Sequence, residues 1–309
     1  MFHVTKWDSS SSGGLGLYAG NAEGYARNPV VDRSFGATHS DLTVCRLDSG
    51  GSVANHLHSF EQCAYVLSGH PTASIDDRIY QLEPGHFVLF PVGTRHAWQN
   101  RTGEHASWIE LSSPLPNAHP AARDTFFVGG PIERIGARPD LSNPETHGVG
   151  RYLGTPPQSE ALAVTAPPRG RPPAGMDTAI LAYSGISVKM MVDAVFGASL
   201  LTMFMVDYEP GGAAQVHDHP FEEIYFFLEG EIEGEIEGES RTFRAGDVLF
   251  CGVGVTHGFF NTSGGRVRWI ETQAPQPPAR HSYRWSAHWE HLESTLADGG
   301  AGGHGHGSA

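Results

Sequence analysis

The chain has 309 residues, a formal net charge of −14 at pH 7, 39% hydrophobic and 10% aromatic residues. That length and apolar content suffice for one or two buried cores. So acidic a balance excludes a nucleic-acid partner, which needs a basic face, and no apolar run is long enough to cross a bilayer, so no membrane partner is expected.

The 39 glycines and 21 prolines favour many short strands and turns over helices. The three cysteines, Cys45, Cys63 and Cys251, form no CxxC pair; so few point to a reducing compartment without a disulfide framework. Met1 to Gly14 lacks the apolar stretch of a signal peptide, so a cytoplasmic protein is expected.

Residues 1–29 are read as an N-terminal arm. Ser9 to Ser12 with Gly13 and Gly14 is flexible in composition, while Trp7, Leu15, Leu17 and Tyr18 can pin the arm to a core as a strand or strap rather than a lid. Residues 30–113 follow as a first barrel, with strands expected at Asp41–Leu47, Ala64–Leu67, Phe87–Phe90 and Ser107–Leu111. Residues 114–185 read as a linker with extra strand signals at Phe126–Val128 and Met176–Ser184, interrupted by Pro, Gly and Ser. A second barrel over 186–275 has strands expected at Leu200–Tyr208, Ile224–Leu228, Val248–Phe250 and Val267–Thr272. The acidic run Glu229 to Glu239 falls on a hairpin there and reads as a solvated strand face, ahead of a calcium site. The tail, 276–309, has apolar residues at helical spacing over Ser282–Leu296 and ends in a Gly-rich stretch expected to be disordered, whose His304 and His306 are noise.

The two barrels are copies of one another. His56 answers His217 at an offset of 217 − 56 = 161, and the same offset relates His58 to His219, Gln62 to Glu223, Gly69 to Gly230, Gly85 to Gly246, His96 to His257 and Asn100 to Asn261. Residues 31–110 align with 192–271 without a gap, with 23 identities in those 80 positions, a register that chance does not hold.

In the second copy, His217 and His219 are two apart, so on a strand they share a face. Gly211 precedes His217 by six positions, Gly230 follows Glu223 by seven, and Gly246 opens a second stretch through Gly254, His257 and Asn261. This arrangement resembles the two motifs of the cupin superfamily, with Gly252 standing where the second motif has proline. The chain thus resembles a bicupin, and the resemblance implies an all-β fold of two tandem cupin (jelly-roll) barrels. It also implies that His217, His219, Glu223 and His257 bind one divalent metal. Three imidazoles and a carboxylate suit Fe, Mn, Ni, Cu or Zn alike.

The first copy has His56, His58 and His96, but Gln62 replaces the carboxylate and Glu61 is one position too early to face the same way. With neutral ligands only, a first-barrel ion keeps its +2 charge, so the site should bind metal more weakly and an anionic substrate more strongly. One or two ions per chain are expected. Strand parity puts Tyr225, Phe227 and Phe259 on the ligand face of the second barrel, and Ala64, Val66 and Trp98 on that of the first, which makes the first pocket roomier near its metal. For Tyr225 a core role with its hydroxyl satisfied outranks acid–base catalysis.

The resemblance extends to cupin dioxygenases, where the metal binds an enol, phenol or carboxylate and brings O2 beside it; a dioxygenase acting on a small molecule is the leading expectation. Redox-neutral catalysis by a hydrolase, decarboxylase or isomerase is the alternative, and a barrel that binds a small ligand without turnover is the third. Two fused barrels already mimic a cupin dimer, so a monomer and a homodimer both fit.

Overall fold

The computed structural model of the chain describes residues 1–7, 15–117, 123–143, 146–153, 183–277 and 284–285. Its strands in the first half are β1 (Phe2–Lys6), β2 (Ala22–Val31), β3 (Asp41–His58), β4 (Glu61–Ser68), β5 (Thr72–Ile75), β6 (Arg78–Gln81), β7 (His86–Phe90), β8 (His96–Gln99), β9 (Ala106–Ser113), β10 (Thr125–Phe127) and β11 (Val149–Arg151). In the second half they are β12 (Tyr183–Val192), β13 (Thr202–Asp218), β14 (Glu222–Glu229), β15 (Glu231–Ile236), β16 (Glu239–Arg244), β17 (Asp247–Cys251), β18 (His257–Phe260), β19 (Val267–Ala274) and β20 (Arg284–Trp285).

These strands form two ten-stranded sheets, each curled into a barrel. The first runs β11-β7-β4-β9-β3-β8-β5-β6, with β2 and β10 also on β3. The second runs β1-β17-β14-β19-β13-β18-β15-β16, with β12 and β20 also on β13. The repeat seen in the sequence is therefore a repeat of topology, and the fold is two tandem cupin jelly rolls.

The long strands β3 and β13 organise each barrel. β3 pairs first with β9, from Asp41 to Leu47, and then with β8, from Ser52 to His56. Sequence analysis ends this strand at Leu47 because Asp48-Ser49-Gly50-Gly51 has turn composition. The chain instead bends there and continues, with Gly50 at φ 80 and its counterpart Gly211 at φ 79, a backbone region that favours glycine. Gly69 meets a stricter demand: at φ 74, an added Cβ would stand 2.6 Å from the His105 carbonyl oxygen.

The arm expected over 1–29 contains two strands with different destinations. β2 joins the first sheet, but β1 pairs antiparallel with β17 in the second, Val4 opposite Leu249. It occupies there the edge position that β11 takes on β7 in the first sheet, Val149 opposite Val88. Of the segment 282–296 read as helical, only Arg284 and Trp285 are described, and they are strand on β13 rather than helix; the rest, like 176–182 and the Gly-rich end, lies outside the described residues. The acidic hairpin β15–β16 is a solvated face: Glu231 and Glu233 point out while Ile232 and Ile236 are buried.

Alternation along β4 and β14 serves two cores at once. Gln62, Ala64 and Val66 turn into the first barrel, whose core includes Trp98 and Trp108. Cys63 and Tyr65 turn outward, into a core built jointly by both barrels with Leu42, Leu111, Met203, Ile224, Phe226 and Phe250. Cys63 Sγ lies 3.9 Å from Met203 Sδ across that interface.

The interface is closed by a reciprocal pair of carboxylates. Glu222 of the second barrel accepts hydrogen bonds from the backbone N–H groups of Thr38 (2.8 Å), His39 (2.8 Å) and Ser40 (3.2 Å) and from the Thr38 hydroxyl (2.7 Å). Glu61 of the first barrel accepts from the backbone N–H groups of Ser199 (2.8 Å), Leu200 (2.9 Å) and Leu201 (3.2 Å). Both glutamates are 2% exposed, and each carboxylate collects donors that the other barrel's turn would otherwise leave unsatisfied. Removing one carboxylate strands those donors, so Glu222→Ala and Glu61→Ala should each lower stability by about 3 kcal/mol, against roughly 0.5 kcal/mol for a neutral surface change. Denaturant unfolding checks this; a loss within the surface range would show that the carboxylates do not hold the barrels together.

Candidate metal centres

Each barrel gathers its histidines by strand register. His56 and His58 end β3, and His96 starts β8 directly opposite His56. In the second barrel His217 sits opposite His257 in the same way. A break in register just before each pair, between Val53 and His56 and between Ala214 and His217, aims the rings inward. The ligand nitrogens of His56, His58 and His96 lie within 4.8 Å of one another, as do those of His217, His219 and His257, and all six rings are buried. These are two groups able to hold a divalent metal.

Backbone carbonyls set the tautomers. His56 Nδ1 is 2.7 Å from Ala54 O and His96 Nδ1 is 2.9 Å from Thr94 O; His217 Nδ1 is 2.6 Å from Gln215 O and His257 Nδ1 is 2.9 Å from Val255 O. A carbonyl only accepts, so each of these Nδ1 atoms carries a proton, and each ring in its neutral form presents its Nε2 lone pair to the centre. His58 Nδ1 is held at 3.0 Å by the Thr125 hydroxyl of β10. In the first barrel His58 Nε2, His96 Nε2 and the Gln62 amide nitrogen are buried without a hydrogen-bond partner. Two unpartnered buried imidazole nitrogens cost stability unless something binds them, and a metal ion fits that donor set. Burial, reinforced by neighbouring imidazoles, holds His58, His96 and His217 well below the usual histidine range. They stay neutral, as metal ligation requires.

Beside the second cluster lies a carboxylate, although only the three histidines bring their ligand atoms within 4.8 Å of one another. Glu223 Oε1 lies 3.4 Å from His219 Nε2 and Oε2 lies 3.0 Å from His257 Nε2. Burial acts to raise the Glu223 pKa, but His219, His257 and the Tyr225 hydroxyl hold it below the carboxylate range. Gln273 Nε2 donates to Oε1 at 2.9 Å and the Tyr225 hydroxyl to Oε2 at 2.7 Å. Tyr225, Phe227 and Phe259 all lie in this barrel's core. The Tyr225 hydroxyl is buried with partners among the candidate ligands: it also lies 2.9 Å from His257 Nε2. Gln273, which strand spacing alone does not mark, sits opposite Glu223 in the β14–β19 register.

The first centre is built differently. Ala64, Val66 and Trp98 lie in its core, and Phe90 stacks on His96 with ring centroids 4.1 Å apart, where the second barrel has Cys251. Tyr18 packs edge-on to His56 at 5.4 Å, and Phe127 of β10 lies at the same distance. Arg27 of β2 sits over the Tyr18 ring at 5.0 Å and pairs with Glu110 at 3.3 Å, while Trp108 Nε1 donates to Glu110 at 2.8 Å. Arg27 falls within the expected arm, where the alternation Tyr25, Arg27 along β2 is the signal that it faces the barrel, while Tyr18, expected to pin the arm, precedes that strand in the turn Gly16–Tyr18.

Two stretches of the chain, residues 43–112 and 204–272, match the Cupin domain family. The polyketide synthase CurC of Streptomyces cyaneus is 25% identical over 93 residues, which cover 30% of this chain and 60% of that relative. Among solved structures, a mutant of salicylate 1,2-dioxygenase from Pseudoaminobacter salicylatoxidans in complex with gentisate is similar with a TM-score of 0.66 at 14% identity, over 93% of this chain and 86% of that one. An oxalate decarboxylase mutant from Bacillus subtilis is similar with a TM-score of 0.61 at 16% identity, over 96% and 83%. At such identities the likeness is one of fold.

The two centres differ in one ligand charge, and exchanging it tests their assignment. Glu223→Gln should weaken metal binding in the second barrel by about tenfold or more, and Gln62→Glu should strengthen it in the first by a similar factor. Competition against a chelator reads both; unchanged affinities would remove positions 62 and 223 from the ligand sets.

Proposed function

This chain belongs to the cupin superfamily and carries two cupin domains, and we propose that it is a metal-dependent enzyme, specifically a dioxygenase acting on a small enol, phenol or carboxylate substrate. The observation that carries the reading is the pair of buried three-histidine clusters with Nε2 atoms turned inward. Three or four protein ligands leave positions open on an ion of Fe, Mn, Ni, Cu or Zn.

A bound ion would supply Lewis acidity and, for iron, manganese or copper, one-electron chemistry toward O2. The chain's own residues do the rest. Ala54, Thr94, Gln215 and Val255 fix ring orientation through their carbonyls, so the ligands are arranged before metal arrives. The aromatic walls, Phe90, Trp98 and Trp108 in one barrel and Phe227, Phe259 and Trp269 in the other, exclude water and suit a flat substrate. The all-neutral side chains expected to ligate in the first barrel leave the full metal charge for an anionic substrate.

A redox-neutral reading, as a decarboxylase, hydrolase or isomerase, draws on one feature of the first barrel. Glu110, 2% exposed, is held by Arg27 and Trp108 on the barrel's inner face, where a proton-transfer group is at hand. Oxygen demand separates the two. Protein reconstituted separately with Fe, Mn, Ni, Cu and Zn should consume O2 with at least one redox-active metal, and not with Zn, in the presence of a panel of hydroxylated aromatic acids, phenols and enolisable diketones, and should be silent under argon. Equal turnover under argon would establish the redox-neutral reading, and no turnover with any metal would leave a ligand-binding barrel.

A further inference from the structure

The two barrels place their strongest internal contrast beside the metal ligands. Two positions beyond Glu223 on β14 stands Tyr225; two positions beyond Gln62 on β4 stands Ala64. The Tyr225 hydroxyl oxygen lies 2.7 Å from Glu223 Oε2 and 2.9 Å from His257 Nε2. Donor atoms about 2.1 Å from one ion and at right angles to each other lie about 3.0 Å apart. The phenol oxygen therefore stands from two ligand atoms at the spacing of neighbouring ligands in one coordination shell. The Glu223–His257 contact, at 3.0 Å, has the same spacing.

The phenol is also held there. His257 Nδ1 is committed to Val255 O, so the nitrogen that Tyr225 approaches is the one left to bind metal. The Tyr225 ring is buried and packs against Phe259 at 5.1 Å and Trp269 at 6.2 Å between ring centroids.

We propose that Tyr225 is a further protein ligand of the second-barrel metal, joining His217, His219, Glu223 and His257. On coordination the phenol O–H bond is replaced by an O–metal bond and one proton passes to solvent. The second centre then has five protein ligands and at most one open position on a six-coordinate ion, while the first, with Ala64 in place of the tyrosine, keeps two or three. The first centre then offers a small molecule more open positions, and the second holds a metal in a nearly closed protein shell. This rests on the reading that the second cluster binds metal at all.

The test is optical and needs no substrate. A phenolate bound to ferric iron or cupric copper gives a visible charge-transfer band with tyrosine ring modes in resonance Raman. Full-length protein loaded with Fe(III), with metal content measured in parallel, should show the band. It should be lost in Tyr225→Phe and in His217→Ala. It should persist in His56→Ala and in Tyr208→Phe, which removes the other tyrosine of that barrel's core. If Tyr225→Phe does not fold, the contrast between His217→Ala and His56→Ala still assigns the band to one barrel. Iron bound in the second barrel without a band, or a band that survives Tyr225→Phe, overturns the ligand assignment and leaves Tyr225 as a hydrogen-bond partner of Glu223. Metal content unchanged by His217→Ala shows instead that the metal reading of that barrel fails, and the proposal with it.

Discussion

Two adjacent glutamates, Glu222 and Glu223, face opposite ways, and the molecule depends on that alternation. A strand turns successive side chains to opposite faces, and β14 is buried on both. Glu223 enters the barrel to meet His219 and His257, while Glu222 leaves it to bind the turn at Thr38–Ser40 of the other barrel. A slip of one residue would exchange the ligand for the clamp and every buried aromatic for its neighbour. Burial on both faces makes such a slip prohibitive, so one strand register fixes both the clamp between the barrels and the carboxylate beside the histidines.

The first barrel keeps the same clamp, Glu61, but has let its ligand position drift to Gln62. The interface is thus symmetric where the chemistry is not. Around the second cluster, Tyr225 and Gln273 engage both carboxylate oxygens of Glu223. Around the first, His58, His96 and Gln62 keep unpaired buried nitrogens, and the pair Arg27–Glu110 brings charge of both signs to the same interior. The two clusters differ in the side chain two positions after 62 and 223, Ala64 against Tyr225, and in the residue directly across the sheet, Ser112 against Gln273.

Most of this plan was legible in the chain. The offset of 161 exposes the repeat, and the spacing of His217, His219, Glu223 and His257 places four side chains on one inner face. Parity also showed that Glu61 turns away from the site. What it turns toward was hidden, because the donors of Ser199 to Leu201 are backbone groups of a distant turn that leave no side-chain signature. The docking of β1 on β17 was hidden for a related reason: edge pairing between residues some 240 positions apart is set by which edge is left open, not by local propensity (Val4 opposite Leu249). Asp48 to Gly51 read as a turn because its composition is that of one, and tertiary pairing overrode it. The contact of Tyr225 with His257 needed the curvature of the barrel, which alternation alone does not give.

The central claim is that each barrel binds a divalent metal through its own three histidines. It is tested most directly by metal content per chain, measured by plasma mass spectrometry on the wild-type protein, His56→Ala and His217→Ala after reconstitution. The account predicts close to two equivalents in the wild type and close to one in each variant. No bound metal in the wild type, or a content that neither substitution changes, would contradict it.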